Sequence, residues 1–225
     1  QQVAERVAEM RSAVVAALEL ESAAVASAVV PSSRRPIVKL PRQREIAIRR
    51  HLARVVAESV RNDPAALPLR GDDAPGAPQC NDETAAVRDG CATCRGHCCH
   101  VGGGNNAFLD ADTVRRYRTI RPQLKPREIV AAYMRRIPDM SVEGSCVFHG
   151  ASGCTLPRHM RASTCNDYHC AGLDGVQRAL DDHDTRTILI VATSDTSVVR
   201  WAVHHRSVEP QSPMRALHES AEFAL

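Results

Sequence analysis

Nine cysteines occur in 225 residues, and four of them, Cys91, Cys94, Cys98 and Cys99, fall within the nine residues 91–99. The others are Cys80, Cys146, Cys154, Cys165 and Cys170. Cysteines used only as small core residues have no reason to cluster in this way. A disulfide framework is one competing reading, but it suits small secreted domains that cannot bury a core. This chain is long and 44% hydrophobic, and the adjacent Cys98 and Cys99 cannot bond each other without strain. Metal binding explains the spacing directly. Two residues between Cys91 and Cys94 allow a tight turn to aim both thiolates at one ion.

Gly96 gives the loop freedom to fold back, so that Cys98 or Cys99 reaches the same centre. Side chains at 98 and 99 diverge. Either one of them is a ligand supported by the other, or the two serve different metals; we expect two metal groups with the pair divided between them. The distal cysteines are spaced Cys146-x7-Cys154 and Cys165-x4-Cys170. That differs from the paired C-x2-C of a zinc ribbon and disfavours one. The candidate ligands are therefore Cys91, Cys94, Cys98, Cys99, Cys146, Cys154, Cys165 and Cys170. Metal is expected to be needed for folding of 91–170. Cys80, eleven residues before the cluster, is expected to be dispensable.

The run Cys91-Ala-Thr-Cys-Arg-Gly-His-Cys-Cys99 resembles the signature of the YkgJ-like, or CxxCxxCC, family of zinc- or iron-chelating proteins. Gly153-Cys154-Thr155-Leu156, followed by Arg161, Cys165, Tyr168 and Cys170, is similar to that family's second element, and Cys146-Val147-Phe148 to its upstream one. The resemblance covers about 91–170, roughly a third of the chain. There are two departures: three residues separate Cys94 from Cys98, and Ala162 stands where the family has Pro. The resemblance implies a bound iron–sulfur cluster or iron, with Zn2+ as the alternative. Some relatives are linked to flagellin lysine methylation, but nothing outside the cysteines carries that activity to this chain. Three functions of different class follow: an iron centre for redox or protein-modification chemistry, a zinc-bound structural or interaction module, and a metal carrier with exchangeable cargo.

Histidines flank the cysteines at 97, 100, 149, 159 and 169. With eight thiols present, supporting roles suit them better than ligation. Gly102-Gly103-Gly104 lacks the Lys-Ser/Thr of a phosphate loop and reads as a flexible loop. Asp181, Asp182, His183 and Asp184 read as a solvated turn. Arg158 and Arg161 lie close to the distal cysteines and would offset thiolate charge. No serine nucleophile elbow, zincin motif or dinucleotide fingerprint is present.

The expected fold is α+β and mainly helical. It has a cysteine-rich core organised by metal, an N-terminal helical hairpin and a short C-terminal β-hairpin. The first thirty residues read as one amphipathic helix ended by Pro31, and a second helix spans about Arg42 to Arg61. This helical extension (1–63) offers a surface for a protein partner. Residues 64–79 are a Pro- and Gly-rich linker, and 80–225 the metal-binding domain. Asp110 is placed to cap a helix through Tyr117, and Pro126 to open one reaching about Arg136. Strands are expected at Thr187–Thr193 and Val198–His204 around a turn at Asp195-Thr196, and the tail from Pro213 is expected to be helical. Net charge is only +3, which argues against a nucleic-acid partner. No run is long and apolar enough for a membrane helix, and the N-terminus has no signal-peptide pattern. It also lacks an initiator Met, which leaves room for a removed segment; a cytoplasmic location is expected.

Overall fold

The computed structural model describes residues 2–61, 82–104, 106–168, 170–206 and 216–219. It is a mainly helical α+β protein, as expected, and divides into two compact units. The first comprises residues 1–34, 80–97 and 169–225, the second 35–79 and 98–168.

The first unit is built on a four-stranded sheet whose strands lie in the order β1 (Val25–Pro31), β6 (Thr187–Ser194), β7 (Ser197–His205) and β8 (Ala216–Glu219). The expected hairpin is its centre: β6 (Thr187–Ser194) pairs antiparallel with β7 (Ser197–His205). Asp195 adopts φ +54° in the connecting turn, a conformation an Asp tolerates well. All but the last two residues of β6 are buried, and its alternate side chains serve opposite faces. Ile188, Ile190 and Ala192 pack with Val176, Ala179 and Leu180 of α8 (Ala171–Asp181) and with Ala86 of α3 (Asp82–Cys94). Leu189 and Val191 pack on the other face with Val7 of α1 (Gln2–Ala17).

Residues 1–30 are not one helix. α1 stops at Ala17, where Glu19 takes φ +51° and the Leu20 N–H donates to the Val15 carbonyl at 3.1 Å, the closing pattern of a left-handed helix cap. Val25–Pro31 is strand β1, parallel to β6 with Val25 opposite Thr187 and Pro31 opposite Thr193. Its valines favour the pleated, half-buried surface that β6 provides. The helix at Arg42–Arg61 (α2) is present but belongs to the second unit, so α1 and α2 are not a hairpin within one unit. The tail reading is also corrected: Ala216–Glu219 is strand β8, paired antiparallel with β7. A sheet edge with unpaired N–H and C=O groups draws such a segment into extended form.

The second unit packs Ile48, Leu52, Val55 and Val56 of α2 against α5 (Ala111–Ile120) and α6 (Pro126–Met134). Tyr133, Phe148, Leu156 and Met160 complete the core. Asp110 caps α5, accepting from the Thr113 N–H at 2.8 Å, and Pro126 opens α6, both as expected. Two small antiparallel pairs complete the unit: β2 (Ile37–Lys39) with β3 (Met140–Val142), and β4 (His149–Gly150) with β5 (Gly153–Cys154). Asp182 accepts from the Asp184 N–H and the Thr185 hydroxyl, so 181–184 is a solvated turn. Among the described residues no helix is long and apolar enough to cross a membrane.

Candidate functional site

The eight described candidate ligands are all free thiols, and they are divided between the units. Cys91, Cys94 and Cys170 belong to the first; Cys98, Cys99, Cys146, Cys154 and Cys165 belong to the second. Cys80 and His169 lie outside the described residues.

In the first unit Cys91 and Cys94 occupy the last turn of α3 rather than a tight loop. Three-residue spacing on a helix still puts both on roughly one face. The helix ends in a bound state. Ser33 N–H donates to the Cys94 carbonyl at 3.0 Å, and Arg200 of β7 donates Nε to the Thr93 carbonyl at 2.9 Å. A cation and donors at a helix C-terminus satisfy its open carbonyls. Beyond them Arg95 and Gly96 take φ +50° and +60°. The Cys94 thiol is buried in the core against the sheet and accepts the His97 N–H at 3.2 Å. Cys170 is the N-cap residue of α8 and makes no side-chain cap.

The five thiols of the second unit are linked to one another. Cys99 hydrogen-bonds Cys98 and holds its thiol down at about 6, helped by backbone hydrogen bonds and the charge of His100. The Cys99 carbonyl accepts from the Cys146 N–H at 3.2 Å. α4 (His100–Gly104), which replaces the expected glycine loop, lies against the same residue: a methyl on Gly102 would sit 3.7 Å from Cys146 Sγ. Burial pushes the Cys146 thiol up to about 12, and the charges of Cys154 and Cys165 add to the rise. Cys165, on the short helix α7 (Ser163–Asp167), is exposed as a whole residue, yet loss of water around its thiol, with the charges of Cys154 and Cys98, raises it to about 11. The Cys146 thiol therefore feels Cys154 and Cys165, and the Cys165 thiol feels Cys154 and Cys98.

Two arginines oppose these shifts. Arg161 lowers Cys165 and Arg44 lowers Cys146. Arg161 also donates Nε to the Leu156 carbonyl at 2.7 Å, and Arg44 donates to the Ser145 carbonyl. Arg161 was legible from its nearness in sequence. Arg44 was not, because it lies on α2 about a hundred residues away in a chain rich in arginine.

His149 is the other residue that sequence spacing undervalued. It is 1% exposed and stands opposite Cys154 in the β4–β5 pair. Its Nδ1 is 3.0 Å from Ser145 Oγ, while its Nε2 is buried with no hydrogen-bond partner. Burial lowers its pKa to about 4, so the ring is neutral at physiological pH. Of the other flanking histidines, His159 stacks on Tyr117 at 5.9 Å, and His97 and His100 are exposed. A buried pair in the first unit, His204 Nδ1 to Asp89 Oδ2 at 2.9 Å, had no sequence signal, its members being far apart in the chain.

As they stand, no group of three or more His, Cys, Asp or Glu side chains among the described residues is set to hold a metal ion. The donor chemistry of the second unit nonetheless fits a thiophilic one. It offers thiols within electrostatic reach of each other, cations beside them and an orphaned buried imidazole nitrogen. Holding a metal would require the thiols to turn inward together and lose their protons.

No protein-family model, curated protein or solved structure matches this chain, so its likeness to the CxxCxxCC family rests on the cysteine pattern alone.

Proposed function

We propose that this chain is a metal-binding protein whose clustered cysteines hold an iron–sulfur cluster or iron. The observation that carries this reading is the gathering of thiols within one unit, where Cys154 and Cys165 bear on the buried Cys146 and Cys154 and Cys98 bear on Cys165. Thiols buried this close repel once ionised, and a cation among them relieves that cost. When bound, an iron centre supplies one-electron chemistry. The chain's residues supply the rest: thiolates as ligands, Arg44 and Arg161 against the excess negative charge, and an apolar wall from Phe148 and Leu156 that limits water. The three thiols of the first unit, Cys91, Cys94 and Cys170, belong to the proposed ligand set through the family pattern.

Zinc is the second reading. It is favoured by the neutral imidazole of His149 beside the thiols, since mixed thiolate–imidazole sets are common in structural zinc sites. Anaerobic purification, metal analysis and a visible spectrum decide between the two. Iron with sulfide and a broad visible absorption supports the first reading, and colourless protein with zinc supports the second. Protein that retains no metal after reconstitution with either sinks both.

A further inference from the structure

The hairpin that carries Cys146 and Cys154 holds a third metal-type donor between them. The His149 N–H donates to the Cys146 carbonyl at 3.0 Å, which closes a four-residue turn. A C-x2-C turn of that length aims its first and last residues at a common ion; here the last residue is histidine. Immediately beyond the turn, His149 faces Cys154 across β4 and β5. Directly opposed residues of an antiparallel pair project to the same face, with Cβ atoms about 4.5–5.5 Å apart. Cys146, His149 and Cys154 are thus brought together by backbone hydrogen bonds, independently of how their side chains rotate.

The imidazole is oriented but not satisfied. Ser145, itself fully buried, holds Nδ1 at 3.0 Å, and Nε2 is buried without a partner. Buried polar atoms are rarely left unpaired without a reason. In the tautomer that donates Nδ1–H to Ser145 Oγ, Nε2 carries the lone pair a metal requires, the arrangement usual for ligating histidines.

We propose that His149 is a metal ligand through Nε2, completing with Cys146, Cys154 and Cys165 a set of three thiolates and one imidazole, and that Ser145 positions the ring. This rests on the reading of the second unit as metal-binding and adds its nitrogen ligand. Such a set suits zinc or iron(II), and it leaves Cys98 outside the four.

The test uses the full chain, made metal-free under anaerobic conditions and loaded with Zn2+ or Co2+. X-ray absorption at the zinc edge of the unmutated protein should show a shell of mixed sulfur and nitrogen. His149→Ala should shift the Co2+ d–d bands and weaken binding more than tenfold, with circular dichroism of the metal-free variant serving as the check on folding. Ser145→Ala should keep the metal stoichiometry and lower affinity about tenfold, the usual effect of removing a ligand's hydrogen-bond partner. An all-sulfur shell in the unmutated protein, or a His149→Ala spectrum identical to the parent's, overturns this inference while metal binding itself stands. Failure of the unmutated protein to take up either metal ends both.

Discussion

Ser145 and His149 show how a buried histidine can be kept neutral while its ring is held in place. The ordinary value of 6.5 falls to about 4 because the protonated ring would lose its water. The sign of the consequence follows directly. As pH falls below 6.5 the unfolded chain takes up a proton that the folded chain refuses, so stability is lost progressively down to about 4. The loss is on the order of 3 kcal/mol if the whole shift is realised. Metal-free His149→Gln should lack this component. Urea midpoints at pH 7 and pH 4.5 should lie closer together for the variant than for the parent. Equal pH dependence in the two proteins would show that burial does not hold the ring neutral. At the same scale, Cys98 and Cys146 differ by their surroundings and not by their identity: a thiol donor beside the first lowers it, and an apolar enclosure raises the second.

Among the elements, α8 and β1 approach each other closely in the first unit. A Cβ on Gly172 would stand 2.9 Å from Val30 Cα and 3.0 Å from the Val29 carbonyl oxygen. Both are backbone atoms, which cannot rotate aside. Gly172→Ala should therefore destabilise the first unit by about 1–3 kcal/mol, the range for overpacking, and thermal unfolding followed by circular dichroism will measure it. An unchanged midpoint would mean that α8 lifts from the strand at little cost. The opposite lesson comes from the hairpin at β6 and β7. Its β-branched runs and its Asp-Thr turn were readable in advance, because local propensity and the sheet both favour the same conformation. Strand β1 was missed because Val3, Val7, Met10 and Val14 set a helical period that appeared to continue into Val25–Pro31. A short apolar run has no period of its own to separate strand from buried helix.

For the whole molecule, the division into two units gives metal binding a local signature. If metal holds the second unit, removing it should expose that unit first. Hydrogen exchange after chelation should show lost protection at amides within 98–168, while the β6–β7 amides of the first unit keep theirs. Uniform loss across both units would mean that the metal's contribution is not confined to the second unit and extends to Cys91, Cys94 and Cys170 in the first. The sequence by itself determined the α+β class, the helices at α2, α5 and α6, the hairpin, and the concentration of thiols that makes metal the first question. Each of these is set by residues near one another in the chain, through period, capping, turn chemistry or spacing. Which cysteines share a unit was decided only by the tertiary structure, as were the placement of Arg44 beside Cys146 and the burial of His149 opposite Cys154. These depend on contacts between segments separated by many residues, and on the loss of water that follows when the segments close over a side chain.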